Sequence, residues 1–290
     1  MFRISKFMRE LIHPTPVGPR RDAPGPVVIW NLIRRCNLTC KHCYSISADT
    51  DFPGELTTDE VFSVMEDLKR FHVPALILSG GEPLLRPDIF EISRHAKEMG
   101  FFVGLSTNGT LIDADTIGPI AEAGYDYVGI SLDGIGDVHD SIRGTKGSFE
   151  DALEGIRRVR DVGIRVGLRF TIHAKNVNEL PGIFQLMQDE EIPRCCIYHL
   201  AYAGRGEKLQ RYDLEPHETR EALDFIFDRA QELHAEGKEL DLLTVDNHAD
   251  NVYLYQRVLK DDPDRADEVY EMLSWNGGNQ SGIAIAAIDP

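Results

Sequence analysis

The chain has 290 residues, 42% of them hydrophobic and 27% charged, with a formal net charge of −17. That composition is globular, and the acidic balance excludes the broad basic face of a nucleic-acid-binding protein, though not a local Arg/Lys pocket for an acidic substrate. No run reaches the ~20 apolar residues of a membrane span, and the N-terminus MFRISKFMRELIHP lacks the apolar core and cleavage site of a secretory signal, so a cytoplasmic address without a membrane partner is expected.

Residues 1–26 read as an N-terminal extension. A short amphipathic piece, Phe2 to Ile12, leads into HPTPVGPRRDAPGP, whose five prolines and two glycines oppose regular structure. A rhythm then begins. Apolar runs at 27–33, 75–79, 101–106, 127–131, 165–172 and 195–200 alternate with helical patterns at 57–71, 87–100, 113–124, 148–163 and 176–191. Val61, Val64, Met65 and Leu68 give the first helical pattern one apolar face, Thr58 reads as its N-cap, and Gly100, Gly124 and Gly163 stand where helices end.

Near-continuous apolar strands alternating with helices predict an α/β fold with a parallel sheet covered on both faces. Six units are too few for a full barrel and fit a partial (β/α)6 barrel; a doubly wound open sheet is the competing architecture. In either, ligands belong at the carboxyl ends of the strands. The rhythm covers 27–200. From 201 to 290 it fades into a long helix at 217–237, a mixed and charged stretch at 241–276, and a closing apolar run in GGNQSGIAIAAIDP that either has a partner elsewhere in the chain or is the start of a longer region.

Three of the five cysteines lie in Cys36-Asn-Leu-Thr-Cys40-Lys-His-Cys43, directly after the first strand. Such crowding with an odd total is no disulfide framework and reads as metal or redox chemistry. Fe–S clusters are usually held by four cysteines, so three local thiolates leave one iron open for a ligand. Structural zinc needs a fourth ligand, for which His42 or the distant Cys195 would have to serve. His42 is adjacent to Cys43, which strains a tetrahedral site. Cys195 and Cys196 open the sixth strand and read as buried core residues.

The spacing C-x3-C-x2-C after strand one of a β/α repeat resembles the radical S-adenosylmethionine (SAM) superfamily, and the resemblance runs through about residues 27 to 200. It implies a [4Fe-4S] cluster on Cys36, Cys40 and Cys43, with SAM on the open iron and a 5′-deoxyadenosyl radical as the reagent. It also implies SAM-binding roles for Gly80, Gly81 and Glu82 in the GGEP loop, for Asn108 and Ser131 at the next strand ends, for Arg143 through a carboxylate fork, and for the peptide group of His42. Taken singly, the GGEP loop also reads as a plain turn and Arg143 as a surface ion pair.

The stretches RELIHPTPVGPRRDAPGPVVIWNLIRRCNLTCKHCYS, LILSGGEPLLRPDIF and HLAYAGRG resemble more narrowly the NirJ family of heme d1 biosynthesis. That likeness implies an iron-tetrapyrrole substrate, didecarboxysiroheme, from which propionate side chains are removed. It implies a small electron donor, ferredoxin or flavodoxin, and a second Fe–S cluster in a cysteine-bearing C-terminal region that either lies beyond Pro290 or is lacking in this member. Arg169, His199, Tyr202 and Arg205, with Lys208, Arg211, Arg20 and Arg21, are the candidates to meet substrate carboxylates; a solvated basic loop is the plainer reading. Rivals are a sister enzyme that removes acetate groups or modifies a peptide, and a non-catalytic Fe–S or zinc sensor.

Overall fold

The computed structural model describes residues 2–12, 25–238, 240–276 and 281–290. Arg20 and Arg21 lie outside these. Eight strands form one parallel sheet: β1 (Val27–Asn31), β2 (Ala75–Ser79), β3 (Phe102–Thr107), β4 (Tyr127–Ser131), β5 (Val166–Ile172), β6 (Arg194–His199), β7 (Asp241–Val245) and β8 (Ile285–Ile288), in the order β7-β6-β5-β4-β3-β2-β1-β8. From β1 to β7 each strand lies beside its predecessor. A doubly wound sheet would reverse direction at its midpoint. Right-handed crossovers that always step the same way keep the helices on one face and curl the sheet around the other, which makes a partial barrel.

The six central strands match the repeat expected from sequence, and the segment after residue 200 adds one strand to each edge. β8 is the closing apolar run, and its partner is β1, with Val27 opposite Ile285 and Trp30 opposite Ile288. β7 arises in the stretch that looked merely mixed and charged, where DLLTV is too short to stand out between polar flanks.

The helices are α1 (Ile4–Ile12), α2 (Thr58–Arg70), α3 (Ile89–Glu98), α4 (Ile117–Ala123), α5 (Asp137–Arg143), α6 (Ser148–Asp161), α7 (Leu180–Asp189), α8 (Pro216–Ala235), α9 (Ala249–Asp261) and α10 (Ala266–Asn276). Among the described residues none is long and apolar enough to cross a membrane. The N-cap of α2 is Thr57 rather than Thr58. Glu60 stands three residues after Thr57 and its carboxylate accepts the Thr57 N–H at 2.8 Å, closing a capping box, while Thr58 Oγ1 instead donates to Asp88 Oδ2 at 2.6 Å. Gly124 caps α4 in left-handed backbone (φ 72°), as a glycine there can without steric cost.

Alternation along the strands divides the sheet into two faces. Val28, Trp30, Leu76, Leu78, Val103, Leu105, Val128, Ile130, Leu168, Phe170, Cys195 and Ile197 belong to the continuous core beneath the helices. The alternate residues face the concave lumen. Gly104, Tyr127, Gly129, Gly167, Arg169, Cys196 and Tyr198 are among them, in a register that pairs Gly104 with Tyr127 and Arg169 with both Ser131 and Cys196. Tyr127 occupies the space that two strand glycines leave, since a Cβ at Gly167 would stand 2.4 Å from its hydroxyl and one at Gly129 3.1 Å from its ring.

Candidate functional site

The cysteine loop leaves the carboxyl end of β1 and is fastened from three directions. Cys36 N–H donates to Ala48 O at 3.1 Å and Lys41 N–H to Ile142 O at 2.9 Å. The third fastening is Arg205, whose Nε donates to Cys40 O at 2.7 Å and Nη1 to Ser47 O at 2.6 Å, while its N–H reaches Cys43 O at 2.8 Å. Arg205, expected at the substrate, therefore holds the cysteine loop. The flanking glycines permit the approach, because a Cβ at Gly204 would lie 2.4 Å from Tyr44 O and one at Gly206 2.3 Å from Ala201 O.

All five cysteines are free; Cys36 and Cys40 are buried and Cys43 half-buried. Each thiol of the triad has donors beside it. Cys36 Sγ has Leu38 N–H at 3.5 Å and Asn108 Nδ2 at 4.0 Å, Cys40 Sγ has Arg143 Nη1 at 3.5 Å, and Cys43 Sγ has Ser47 Oγ at 3.6 Å. Burial pushes the Cys36 thiol up to about 12, with further raising from Glu82, Cys40 and Cys43. A metal that takes its sulfur as thiolate must displace that proton.

Cys195 is fully buried in the core on the helix face of β6 and is no fourth ligand for zinc, while His42 has Nε2 3.0 Å from Asp133 Oδ2 and, among the described residues, no hydrogen-bond partner for Nδ1. Among the described residues no three His, Cys, Asp or Glu side chains converge as ligands of one ion would. Three soft thiols with N–H and O–H donors and a buried guanidinium beside them fit a [4Fe-4S] cluster, whose core and three thiolates together carry net negative charge.

The stations on the later strands are tied to this loop rather than standing free. Gly80 (φ 155°) and Gly81 lie against the segment entering the cysteine loop, where a Cβ at Gly80 would meet Ile33 O at 2.4 Å and one at Gly81 Arg35 O at 2.3 Å. Gly81 N–H donates to Ile33 O at 2.5 Å and Glu82 N–H to Arg35 O at 2.8 Å. Both carboxylate oxygens of the fully buried Glu82 accept from the protein: Oε1 from Leu84 N–H at 3.1 Å and Thr107 Oγ1 at 2.8 Å, Oε2 from Asn108 N–H at 2.8 Å. Asn108 in turn donates to Asn37 Oδ1 at 2.9 Å and accepts from Thr110. Ser131 sits half-buried at the end of β4.

Burial raises the Glu82 carboxyl to about 7 against the pull of these three donors. A folded value above the unfolded one contributes stability that is complete below pH about 4.5 and lost as pH rises through about 7. Glu82→Gln abolishes that dependence. The wild type's thermal-unfolding advantage over this variant is expected to shrink by a few kcal/mol between pH 5 and pH 8; an advantage that grows with pH contradicts the assignment.

Asp133, to which the sequence motifs assign no role, is the hub of the site. Its Oδ2 lies 2.6 Å from Arg143 Nη2 and 3.0 Å from His42 Nε2, its Oδ1 accepts Thr171 N–H at 2.9 Å, and its own N–H donates to His139 Nδ1 at 3.1 Å. Burial alone would raise this carboxyl; Arg143 and then His42 outweigh it and hold Asp133 well below the carboxylate range. Burial lowers His139 to about 4, with Arg143 lowering it further, which leaves its Nδ1 free to accept. Arg143 is thus not a surface ion pair. It is buried, it closes the seven-residue helix α5, and it bridges Asp133 to Cys40.

The substrate candidates scatter. Arg169 lies in the lumen, with its guanidinium 4.8 Å from the centre of the Tyr198 ring. His199 shares the other face with Ile197 and binds the buried Asp250 at the start of α9 (Nε2 to Oδ2, 3.0 Å), fastening helix to sheet. Tyr202 is exposed and bonded to Asp213, Lys208 is exposed, and Arg211 stacks over Tyr212. Cys196, grouped with Cys195 by sequence, faces the lumen instead. The period-two alternation of strands was the available signal for both Cys196 and His199.

Comparison with known proteins agrees with this layout. The family model described as the Radical SAM superfamily matches residues 30–187. The chain is 49% identical to the Fe-coproporphyrin III synthase of Methanosarcina barkeri over 91% of its own length and 66% of that protein's. It is 47% identical to the pre-heme d1 synthase of Dinoroseobacter shibae over 100% of its own length and 72% of that protein's. The chain therefore spans roughly two thirds of the length of these relatives. The fold is shared with Streptococcus suis SuiB bound to S-adenosylmethionine (TM-score 0.68, 14% identity, 86% of this chain and 61% of that one). It is shared also with anSMEcpe bound to AdoMet and the Cp18Cys peptide (TM-score 0.63, 19% identity, 75% and 62%). A one-directional parallel sheet with three clustered thiols at the end of its first strand, matched by the family model over more than half of its residues, makes this chain a member of the radical SAM superfamily.

Proposed function

We propose that Cys36, Cys40 and Cys43 hold a [4Fe-4S] cluster with SAM on its open iron, and that the enzyme removes propionate side chains from didecarboxysiroheme in heme d1 biosynthesis. The observation that carries the substrate choice is 47% identity along the whole chain to a pre-heme d1 synthase, including the N-terminal stretch. When bound, the cluster and SAM supply a 5′-deoxyadenosyl radical that takes hydrogen from the substrate.

The chain's own residues do the placing. Arg143 offsets the cluster's negative charge from beside Cys40. Leu38 N–H, Asn108 and Ser47 donate to the sulfurs. The N–H groups of Gly81 and Glu82 are bonded to Ile33 and Arg35, which fixes against the cysteine loop the GGEP turn proposed to meet the SAM ammonium. Glu82 is a positioning residue that fixes Asn108. Ser131 and the His42 peptide complete the proposed SAM site. A small ferredoxin or flavodoxin is the proposed electron donor, in the cytoplasm.

A second reading has its own support in 49% identity to an Fe-coproporphyrin III synthase. Coproporphyrin keeps its propionates, which corresponds to removal of acetates from the same tetrapyrrole. The test is anaerobic incubation of the reduced, reconstituted protein with SAM and didecarboxysiroheme, followed by mass spectrometry. Loss of propionate mass with 5′-deoxyadenosine is expected. Acetate-derived mass loss transfers the assignment to the second reading, and a protein that never yields 5′-deoxyadenosine is a sensor.

A further inference from the structure

We infer that Arg169 is the residue of the lumen that takes a carboxylate of the substrate. This deepens the tetrapyrrole reading and rests on it. The arginines around the lumen differ in one respect. Arg143 has Asp133 at 2.6 Å and Arg194 has Asp241 at 3.4 Å. Among the described residues the Arg169 guanidinium has no ion pair and no hydrogen bond, only the face of Tyr198 at 4.8 Å.

Its surroundings do not supply the missing charge. The groups that act on it are Tyr198, Cys196, Tyr127 and Tyr44. Burial pushes the Tyr198 and Tyr127 hydroxyls up, so both are neutral near pH 7. Asp246, just past the end of β7, feels the Arg169 charge but lies beyond ion-pair distance. The fold also makes room for this side chain at a cost. Gly129 stands mid-strand, where glycine weakens pairing, and a Cβ there would come within 3.2 Å of Arg169 Cδ.

A half-enclosed cation without an anion is unfavourable until one arrives, and a guanidinium fork matches a carboxylate in two parallel bonds. Tyr198 and Tyr44 beside it present aromatic surface to the edge of a flat macrocycle. A carboxylate could come from the substrate or from the methionyl end of SAM. The thiols stand on the loop after β1, four strands away from β5 in the sheet, but Tyr44, which follows Cys43, reaches Arg169 across the lumen. The substrate and SAM arms of the titration below separate the two sources.

Reconstituted protein is titrated without reductant, so no turnover occurs, and iron didecarboxysiroheme binding is followed by its visible absorption. Iron octaethylporphyrin, which has no carboxylate, and SAM by equilibrium dialysis form the other two arms. Arg169→Met is expected to weaken didecarboxysiroheme binding about tenfold or more, and to leave iron octaethylporphyrin and SAM within about twofold. Arg169→Lys, which keeps the charge without the fork, is expected to recover part of the loss and serves if the Met variant folds poorly. Equal tetrapyrrole affinity in wild type and variants overturns the anchor alone, as does a loss confined to SAM. A wild type that binds no didecarboxysiroheme overturns the substrate reading together with the anchor.

Discussion

Cys40→Ala is expected to reduce the iron content of the anaerobically reconstituted protein from about four per chain to near zero and to abolish 5′-deoxyadenosine formation, while Cys195→Ala leaves both unchanged. The contrast follows from where the two thiols sit. Cys40 stands in the loop with Arg143 Nη1 3.5 Å away, in a cluster of its own with Cys36, Leu38 and Cys43 that is separate from the main core. Cys195 is fully buried within that core on the helix face of β6. Losing its sulfur costs packing, about 1 kcal/mol for a small core atom, and no ligand. Iron retained by the Cys40 variant, with 5′-deoxyadenosine still formed, would mean that the cluster is held elsewhere.

How much of this was legible in the sequence depended on the range of the signal. The repeat of β-branched runs and helical patterns located the six central strands, because each run is long enough to carry its own periodicity. The direction of winding was not legible. Each β/α unit looks the same whether the next strand falls to its left or right, and only the pairing order decides between barrel and doubly wound sheet. The cysteine loop was legible because its spacing is local. The hub was not, since Asp133, His42, Arg143 and Thr171 come from four separate segments and nothing within any one of them announces the others. The contacts of Arg205 were not legible for the same reason. A basic residue past a strand end looks available for substrate until its partners 158 and 165 residues away are known.

Asp133→Asn is expected to destabilise the protein by roughly 3–5 kcal/mol, the range for breaking a buried ion pair from one side, and to lower iron retention with it. Arg143 is the reason. Its guanidinium is buried, its Nη2 has Asp133 Oδ2 at 2.6 Å, and its Nη1 has only the Cys40 sulfur. Neutralising Asp133 leaves that cation unpaired in the interior while His42 loses the acceptor of its Nε2. The cysteine loop then loses its tie to β4 through His42, while its bond from Lys41 N–H to Ile142 O of α5 remains. The double variant Asp133→Asn/Arg143→Met removes the stranded charge together with its partner, so it should be less destabilised than the single variant if the unpaired cation dominates. Its iron retention should stay low, because the donor beside Cys40 is gone. Measured by thermal unfolding and iron content, these two readouts separate the electrostatic role of Asp133 from its role in holding the loop. A double variant that is less stable than Asp133→Asn alone would show that Arg143 packs and bonds for more than its charge costs.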